Sequence, residues 1–323
     1  MAQLPDFWLK DSPAARALAP LGWLTAALAR RRRRRHLAGV GVTRLPVPVL
    51  IVGNIFVGGT GKTPLVAWIV DWLTAHGRRP GILVRGYGGS ARRWPQPVSA
   101  DSDPLQVGDE GVLLARRTGR PVAAGPERAR AAQLLLDAGC DIIVSDDGLQ
   151  HYRLARDAEI VVVDAARGLG NGRCLPAGPL REPASRLDQV DLVLANGGPS
   201  PLTPYRFELR PDSFVRIVDG LRAGPEGLPP GPVEAVAGIG NPERFFRSLA
   251  GQGLDIVPHA FSDHHRYRAA DLDFPGGRPI VCTEKDAVKI AAFASERHWY
   301  QPVVAVPDER TRQALEALLR RFI

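Results

Sequence analysis

Residues 52–64 read VGNIFVGGTGKTP. The run PVLIVGNIF, 48–56, is rich in β-formers, and PLVAWIVDWLTAHG, 64–77, repeats apolar residues at helical spacing. A strand, a glycine loop and a helix in that order surround a phosphate with backbone amides and the helix N-terminus. Gly58, Gly59 and Gly61 open backbone angles closed to other residues. Lys62 is placed to reach β- and γ-phosphates, and the Thr63 hydroxyl to bind Mg²⁺. The candidate ATP-binding residues are therefore Phe56, Val57, Gly58, Gly59, Thr60, Gly61, Lys62 and Thr63. Pro64 falls in the first helical turn, where a missing N–H costs little, and Gly77 suits the helix end. The strict pattern G-x-x-x-x-G-K-[ST] has glycine where this chain has Phe56, so the start of the loop must differ. A partition-type ATPase would carry a lysine where Val57 stands.

Further along, apolar strand-like runs alternate with helical ones: RPGILVRGYGG (79–89), VGDEGVLLARRTG (107–119), PERARAAQLLLDAG (126–139), CDIIVSDDGLQH (140–151), AEIVVVDAA (158–166) and VDLVLAN (190–196). Such alternation implies a parallel sheet with right-handed crossovers. The proline- and glycine-rich run at 170–183 reads as a long loop. GGPSPLTP, 197–204, reads as a linker, and YRFELRPDSFVRIV after it as a two-stranded ribbon. PVEAVAGIGNPERFFRSLAGQG, 232–253, is strand, turn and helix, with Asn241 as cap and Pro242 at the first helical position. The expected fold is α/β: a phosphate-loop parallel-sheet domain with a second, smaller α/β domain. The chain of 323 residues suits about two domains. The expected division is an N-terminal segment at 1–45, the phosphate-loop domain at 46–200 and the smaller domain at 201–323.

In DIIVSDDG an apolar strand ends in Asp146 and Asp147, beside the loop after the first strand, where such sheets bind ligands. The phosphate loop favours metal or water ligation there over a solvated D-G turn. His151 follows and could hydrogen-bond in the site or cap the loop. Asp109 and Glu110 in VGDEG read locally at least as well as an exposed pair at a helix start. Asp263 beside His264 in FSDHHRY could orient or polarise the imidazole for proton transfer.

The formal charge is +8, and residues 30–35 are six consecutive arginines. The apolar run before them, 17–29, is too short to span: thirteen residues of helix reach roughly 20 Å against a bilayer core of ~30 Å. Pro20 and Gly22 weaken it further as a spanning helix. A surface-lying anchor places Leu21, Trp23, Leu24 and Leu28 in the headgroup boundary and the arginines on anionic lipid. A core helix with a solvated basic end remains open. Nucleic acid is not an expected partner, because no reader motif or aromatic-interleaved basic surface follows. Cys140, Cys174 and Cys282 form no C-x-x-C pair and read as small buried hydrophobes in a reducing compartment.

Taken in order, VGNIFVGGTGKTP, RGYGG, VGDEG, SDDGLQH, LPAGPLREP, AGIGNPERFF, FSDHHRY and TEKDAVK resemble the tetraacyldisaccharide 4′-kinases, the lipid A 4′-kinases of Gram-negative bacteria. The resemblance implies a phosphate-loop domain, a smaller α/β domain and a hinge between them. It implies transfer of the γ-phosphate of ATP to the 4′-hydroxyl of an acylated glucosamine disaccharide 1-phosphate, at the cytoplasmic face of the inner membrane. By motif it makes Asp109 the base for the acceptor proton and His264 its partner across the cleft. Asp146, Asp147 and Glu110 would serve Mg²⁺ and its waters, with Thr63; Lys62 and Asp146 join the catalytic set. Arg85, Tyr87, Arg181 and His151 are candidate contacts to the sugar substrate. The family also lacks the strict first glycine, which makes Phe56 unexceptional. Departures are D-E-G for D-E-P and D-G-L-Q-H for D-G-F-Q-H.

Overall fold

The computed structural model describes residues 5–323; residues 1–4 of the expected N-terminal segment lie outside the described residues. The chain builds two sheets, one of nine strands and one of six. The apolar runs of the first half form the centre of the larger sheet. Val49–Gly53, Pro80–Val84 and Ile142–Asp146 are buried along their whole length, as expected of parallel strands covered by helices on both faces. Val49–Gly53 lies between Ile142–Asp146 and Ala158–Asp164 and pairs in parallel with both. Its register sets Val52 level with Asp146. The glycine loop and the S-D-D-G acids therefore leave adjacent strands at the same end of the sheet, the end where ligands bind in such folds.

Two features depart from the expected division at residue 200. The stretch expected to be a ribbon is split: Arg206–Pro211 pairs in parallel with Leu192–Asn196 in the large sheet, and Phe214–Arg216 pairs with His298–Gln301 in the small one. Near the C-terminus, Val303–Pro307 returns to the large sheet as its antiparallel edge, and Leu315, Leu318, Leu319 and Phe322 behind it join the core of the phosphate-loop domain. Local alternation cannot reveal this, because either sheet satisfies the same pattern. The chain thus crosses between sheets at 212–213 and at Pro302. The crossings run side by side: the Asp212 N–H donates to the Pro302 carbonyl at 2.9 Å, and Gln301 Nε2 to the Asp212 carbonyl at 3.1 Å.

The smaller sheet carries Val233–Ala237, Ile256–Ala260, Ile280–Thr283 and His298–Gln301 in parallel. Asn241 caps the helix Pro242–Ala250, accepting from the Arg244 N–H as expected. Helix Glu284–Ile290 carries the T-E-K-D run and packs against helix Asp109–Thr118 of the larger unit.

The N-terminal helix runs Ala19–Leu37, through all six arginines. Pro20 lies in its first turn, so it opens the helix instead of breaking it. Gly22 is buried, and a Cβ there would stand 2.8 Å from the Cys174 carbonyl oxygen: this glycine lets the helix approach the proline-rich loop closely. Leu21, Trp23, Leu24 and Leu28 remain exposed. Among the described residues no helix is long and apolar enough to cross a membrane. The three cysteines are free and buried.

Candidate active site

The glycine loop is braced by buried amides. Asn54 Nδ2 donates to the Gly58 carbonyl at 3.1 Å, and Asn196 Nδ2 to the Thr60 carbonyl at 3.0 Å. Gly61 has φ +88°, and a Cβ there would stand 2.4 Å from Asn196 Nδ2, so glycine is required twice over. Phe56 is buried and forms an antiparallel bridge with Leu180, while the Val57 N–H donates to the Pro179 carbonyl at 3.0 Å. This pairing with the proline-rich loop explains the missing first glycine: the chain there is strand-like and needs no special angle. Arg167 covers the Phe56 ring at 5.0 Å and donates to the Gly59 carbonyl.

At the floor of the loop Lys62 Nζ lies 3.3 Å from Asp147 Oδ1, and Thr63 Oγ1 donates to Asp146 Oδ2 at 3.0 Å. Asp147 has φ +50°, an uncommon angle for a residue with a side chain, and also receives Arg181 at 3.0 Å. Burial works against its charge, but Lys62 and Arg181 prevail and hold its carboxyl well below the ordinary range. Asp146 behaves oppositely. Burial, then the neighbouring Glu110 charge, push it up to about 7. The adjacent acids thus shift in opposite directions: Lys62 and Arg181 outweigh burial at Asp147, whereas burial and Glu110 outweigh Lys62 at Asp146. Asp146 Oδ1 is buried and without a hydrogen-bond partner. Beside a threonine hydroxyl, an orphaned carboxylate oxygen fits the donor set for Mg²⁺, which keeps several waters and takes few protein ligands. Accordingly, among the described residues no group of three or more His, Cys, Asp or Glu side chains could hold an ion alone.

A second group of side chains stands where the two units meet. Helix Asp109–Thr118 begins after Gly108, and Asp109 in its first turn is buried. Asp109 Oδ1 accepts from the Glu110 N–H at 2.9 Å, and Oδ2 lies 3.0 Å from His264 Nδ1. Burial opposes the Asp109 charge, yet His264, Lys285 and Lys289 carry its carboxyl below the ordinary range. Lys289 Nζ sits 3.8 Å from Asp109 Oδ2 and 2.8 Å from Asp286 Oδ1. Lys285 Nζ lies 3.1 Å from His264 Nε2 and 3.9 Å from Glu110 Oε1. His264 has φ +58°, so the ring is held on strained backbone, with the Tyr87 ring centroid 4.9 Å from its own. Tyr87, Asp109, Asp263, His264, Arg266 and Lys289 line an open cavity of about 400 Å³.

Most of the sequence-selected side chains fall into three places, with Arg85 and His151 outside them. Lys62, Thr63, Asp146, Asp147 and Arg181 form one cluster; Asp109, His264 and Tyr87 form another; Glu110 lies between, close enough to Asp146 to raise its pKa and to Lys285 to pair with it. Arg85 is exposed at the end of its strand. His151 stands apart, in a basic cavity of about 880 Å³ lined by Arg31, Arg32, Arg35, Arg130 and Arg153. Burial and the arginines around it push His151 down to about 4.

Residues not singled out in the sequence support these clusters. Gln150 Nε2 donates to Glu182 Oε1 at 3.0 Å and to the Asn54 carbonyl at 2.9 Å, tying the D-G-L-Q-H turn to the loop. Glu182 accepts from the Tyr152 hydroxyl, and Arg186 bonds both Tyr152 and Glu159. Buried Arg128 donates to the Asp146 carbonyl at 3.1 Å. Asn54 and Asn196 each close a strand with an apolar run before it, a position where a lone amide carries a legible signal; Arg128, in an ordinary amphipathic helix, carries none.

A family profile described as tetraacyldisaccharide-1-P 4′-kinase matches residues 14–321. A protein of Alkalilimnicola ehrlichii named tetraacyldisaccharide 4′-kinase is 59% identical over 327 residues, covering 100% of this chain and 98% of its own. One of the same name from Ectopseudomonas mendocina is 50% identical over 325 residues, covering 99% of this chain and 98% of its own. A crystal structure described as the "apo" form of LpxK from Aquifex aeolicus in complex with ATP superposes with a TM-score of 0.79 at 26% identity, over 96% of this chain and 99% of that one. The chain belongs to the tetraacyldisaccharide 4′-kinase family.

Proposed function

We propose that this chain transfers the γ-phosphate of ATP to the 4′-hydroxyl of a tetraacylated glucosamine disaccharide 1-phosphate, the reaction of its family, with Asp109 taking the acceptor proton. The Asp109–His264 contact at 3.0 Å carries this assignment, because it puts a charged, buried carboxylate at the cavity wall, next to Glu110, whose charge reaches Asp146. A sugar hydroxyl is a weak nucleophile, and a positioned base helps as its proton departs. His264 holds the carboxylate in place; Lys289 and Lys285 keep it ionised. On the donor side, amides of residues 58–63 would enclose the triphosphate, and Lys62 would move from Asp147 to the phosphate oxygens, where charge develops. Arg181 would take over the Asp147 charge that Lys62 leaves. Thr63 and Asp146 would hold Mg²⁺, with Asp147 and Glu110 serving its waters; once bound, the ion offsets charge on the phosphate oxygens.

Tyr87 lines the acceptor-side cavity, exposed Arg85 two residues before it is proposed to meet the sugar, and His151 with its arginines offers a neutral ring among cations for a phosphorylated sugar. Exposed Leu21, Trp23, Leu24 and Leu28, followed by the arginine run, suit peripheral attachment to an anionic membrane at its cytoplasmic face, where the acylated substrate resides. No nucleic-acid partner is proposed. The larger unit is taken as residues 46–211 with 303–323, the smaller as 212–302, and the paired crossings as the hinge.

The test is ATP consumption with and without detergent-dispersed tetraacylated glucosamine disaccharide 1-phosphate. Acceptor-dependent turnover with ³²P appearing in the lipid is expected. Equal turnover without lipid would leave a regulatory ATPase instead, and absence of nucleotide binding would remove the enzyme reading altogether.

A further inference from the structure

The smaller unit offers Asp109 more than an imidazole. His264 is contacted at both ring nitrogens: Nδ1 lies 3.0 Å from Asp109 Oδ2 and Nε2 lies 3.1 Å from Lys285 Nζ. An ammonium has three donors and no acceptor, so at that contact the lysine donates and Nε2 accepts. A doubly protonated ring would have no lone pair to offer and would set two cations against each other. A neutral Nε2–H ring would likewise point a hydrogen at an ammonium. It would also turn the bare Nδ1 lone pair toward the Asp109 carboxylate. Only the Nδ1–H tautomer satisfies both contacts. A competing acceptor for an Nε2 proton, Asp263 Oδ1, is 3.9 Å from that nitrogen, beyond hydrogen-bond reach, and itself accepts from Lys285 at 3.3 Å.

We propose that Lys285 is a positioning residue for the phosphoryl transfer: its ammonium fixes the tautomer of His264, so that the imidazole meets the Asp109 carboxylate as a donor.

The proposal rests on Asp109 being the base. Lys285 is well suited to the task. Burial works against its charge, but the carboxylates of Asp109, Glu110 and Asp263 prevail and keep its pKa above the ordinary value. It stands in the first turn of helix Glu284–Ile290, the helix that also brings Lys289 toward Asp109. Tyr87 packs against the imidazole and the backbone of His264 is confined at φ +58°, so ring orientation has little freedom left once Nε2 is engaged. Without the ammonium, Nε2–H becomes available, the Nδ1 lone pair faces a carboxylate, and the ring is repelled from Asp109. Loss of Lys285 should therefore act on turnover, with ground-state binding of either substrate spared.

The experiment uses full-length protein labelled with ¹⁵N-histidine. Long-range ¹H–¹⁵N spectra are recorded above the pH of ring titration, with His264 assigned through His264→Gln. The wild-type ring is expected as Nδ1–H. Lys285→Met should shift it toward Nε2–H and lower kcat by roughly tenfold or more, with both KM values within about threefold. Lys285→Arg, which retains a cationic donor, should keep the Nδ1–H pattern and recover much of kcat. An Nε2–H ring in the wild type overturns the proposal. So does Lys285→Met with an unchanged tautomer, or with a changed tautomer and unchanged kcat. If Lys285→Met does not fold, Lys285→Ala is read in its place by the same tautomer and kcat criteria. Asp109→Asn distinguishes the two levels: if it retains kcat, Asp109 is not the base, whatever the tautomer of His264 proves to be.

Discussion

Asp109 and His264 lie 155 residues apart in sequence and in different structural units, yet Nδ1 of one stands 3.0 Å from Oδ2 of the other. Their meeting depends on the docking of helix Glu284–Ile290 against helix Asp109–Thr118. Asp109→Asn removes the proposed proton acceptor while keeping size and most packing. Acceptor-dependent kcat should fall about 10²–10⁴-fold, with ATP affinity measured by calorimetry little changed. His264→Ala should lose less than Asp109→Asn, because the carboxylate remains. The reverse ranking would give the imidazole the leading role.

Lys62→Ala removes the loop cation that partners Asp147 in this structure and that would serve the phosphates. Turnover is expected to drop by roughly 10³-fold or more. Near-normal phosphate transfer in the radiolabel assay would show that the Lys62 ammonium does not act on the donor phosphates.

Gly61→Ala tests the loop's geometry separately from its charge. The added methyl meets Asn196 Nδ2, and the left-handed backbone itself costs about 1–2 kcal/mol. A lower melting temperature and weaker ATP binding are expected. Gly61→Ala with Asn196→Gly should recover part of the loss only, since the backbone strain stays. Full recovery would mean that contact alone forbids a side chain there.

The legibility of this chain followed range. The strand, loop and helix around Lys62, the acids of S-D-D-G and the cap at Asn241 are all written within a few neighbouring residues, and each stands where the sequence pattern put it. Asp109 was ambiguous by its own neighbourhood, because an acid at a helix start has the same local pattern whether solvated or buried against an imidazole from another unit. The ordered motifs paired it with His264, and the structure has that contact. The division of 205–218 between sheets escaped the sequence altogether: Arg206–Pro211 and Phe214–Arg216 show similar alternation, and only the partners Leu192–Asn196 and His298–Gln301 separate them. Lys285 was hidden for a similar reason, as a lysine in a helical first turn is ordinary until His264 is brought against it.

His151 should make the fold sensitive to mild acid. Its folded pKa of about 4 lies below the ordinary histidine value of 6.5, so the unfolded chain binds the proton first as pH falls. The contribution is complete above pH 6.5 and is lost progressively toward pH 4. Partial exposure reduces it. His151→Gln should therefore lose less melting temperature between pH 7 and pH 5 than the wild type, by roughly 2–4 °C. Parallel losses in both would assign the acid sensitivity to other groups.

Leu24→Asp combined with Leu28→Asp places charge on the exposed side of helix Ala19–Leu37 without touching buried Gly22 or Ala26. Co-sedimentation with vesicles containing anionic lipid should fall by at least about tenfold. Activity on detergent-dispersed acceptor should persist. Undiminished sedimentation would place the lipid contact on another surface.

The proline-rich loop has neighbours on both sides. Toward the N-terminus it receives Gly22 against the Cys174 carbonyl and Trp8 Nε1 on the Pro176 carbonyl at 2.9 Å; toward the phosphate loop it pairs Leu180 with Phe56. Helix, proline-rich loop and glycine loop are consequently in continuous contact, from the face proposed to meet lipid to the amides proposed to meet phosphate. On the proposed membrane attachment, a donor seated in that loop would keep one height above the bilayer, and the depth at which an acceptor sugar must present its hydroxyl would follow from the thickness of this wedge.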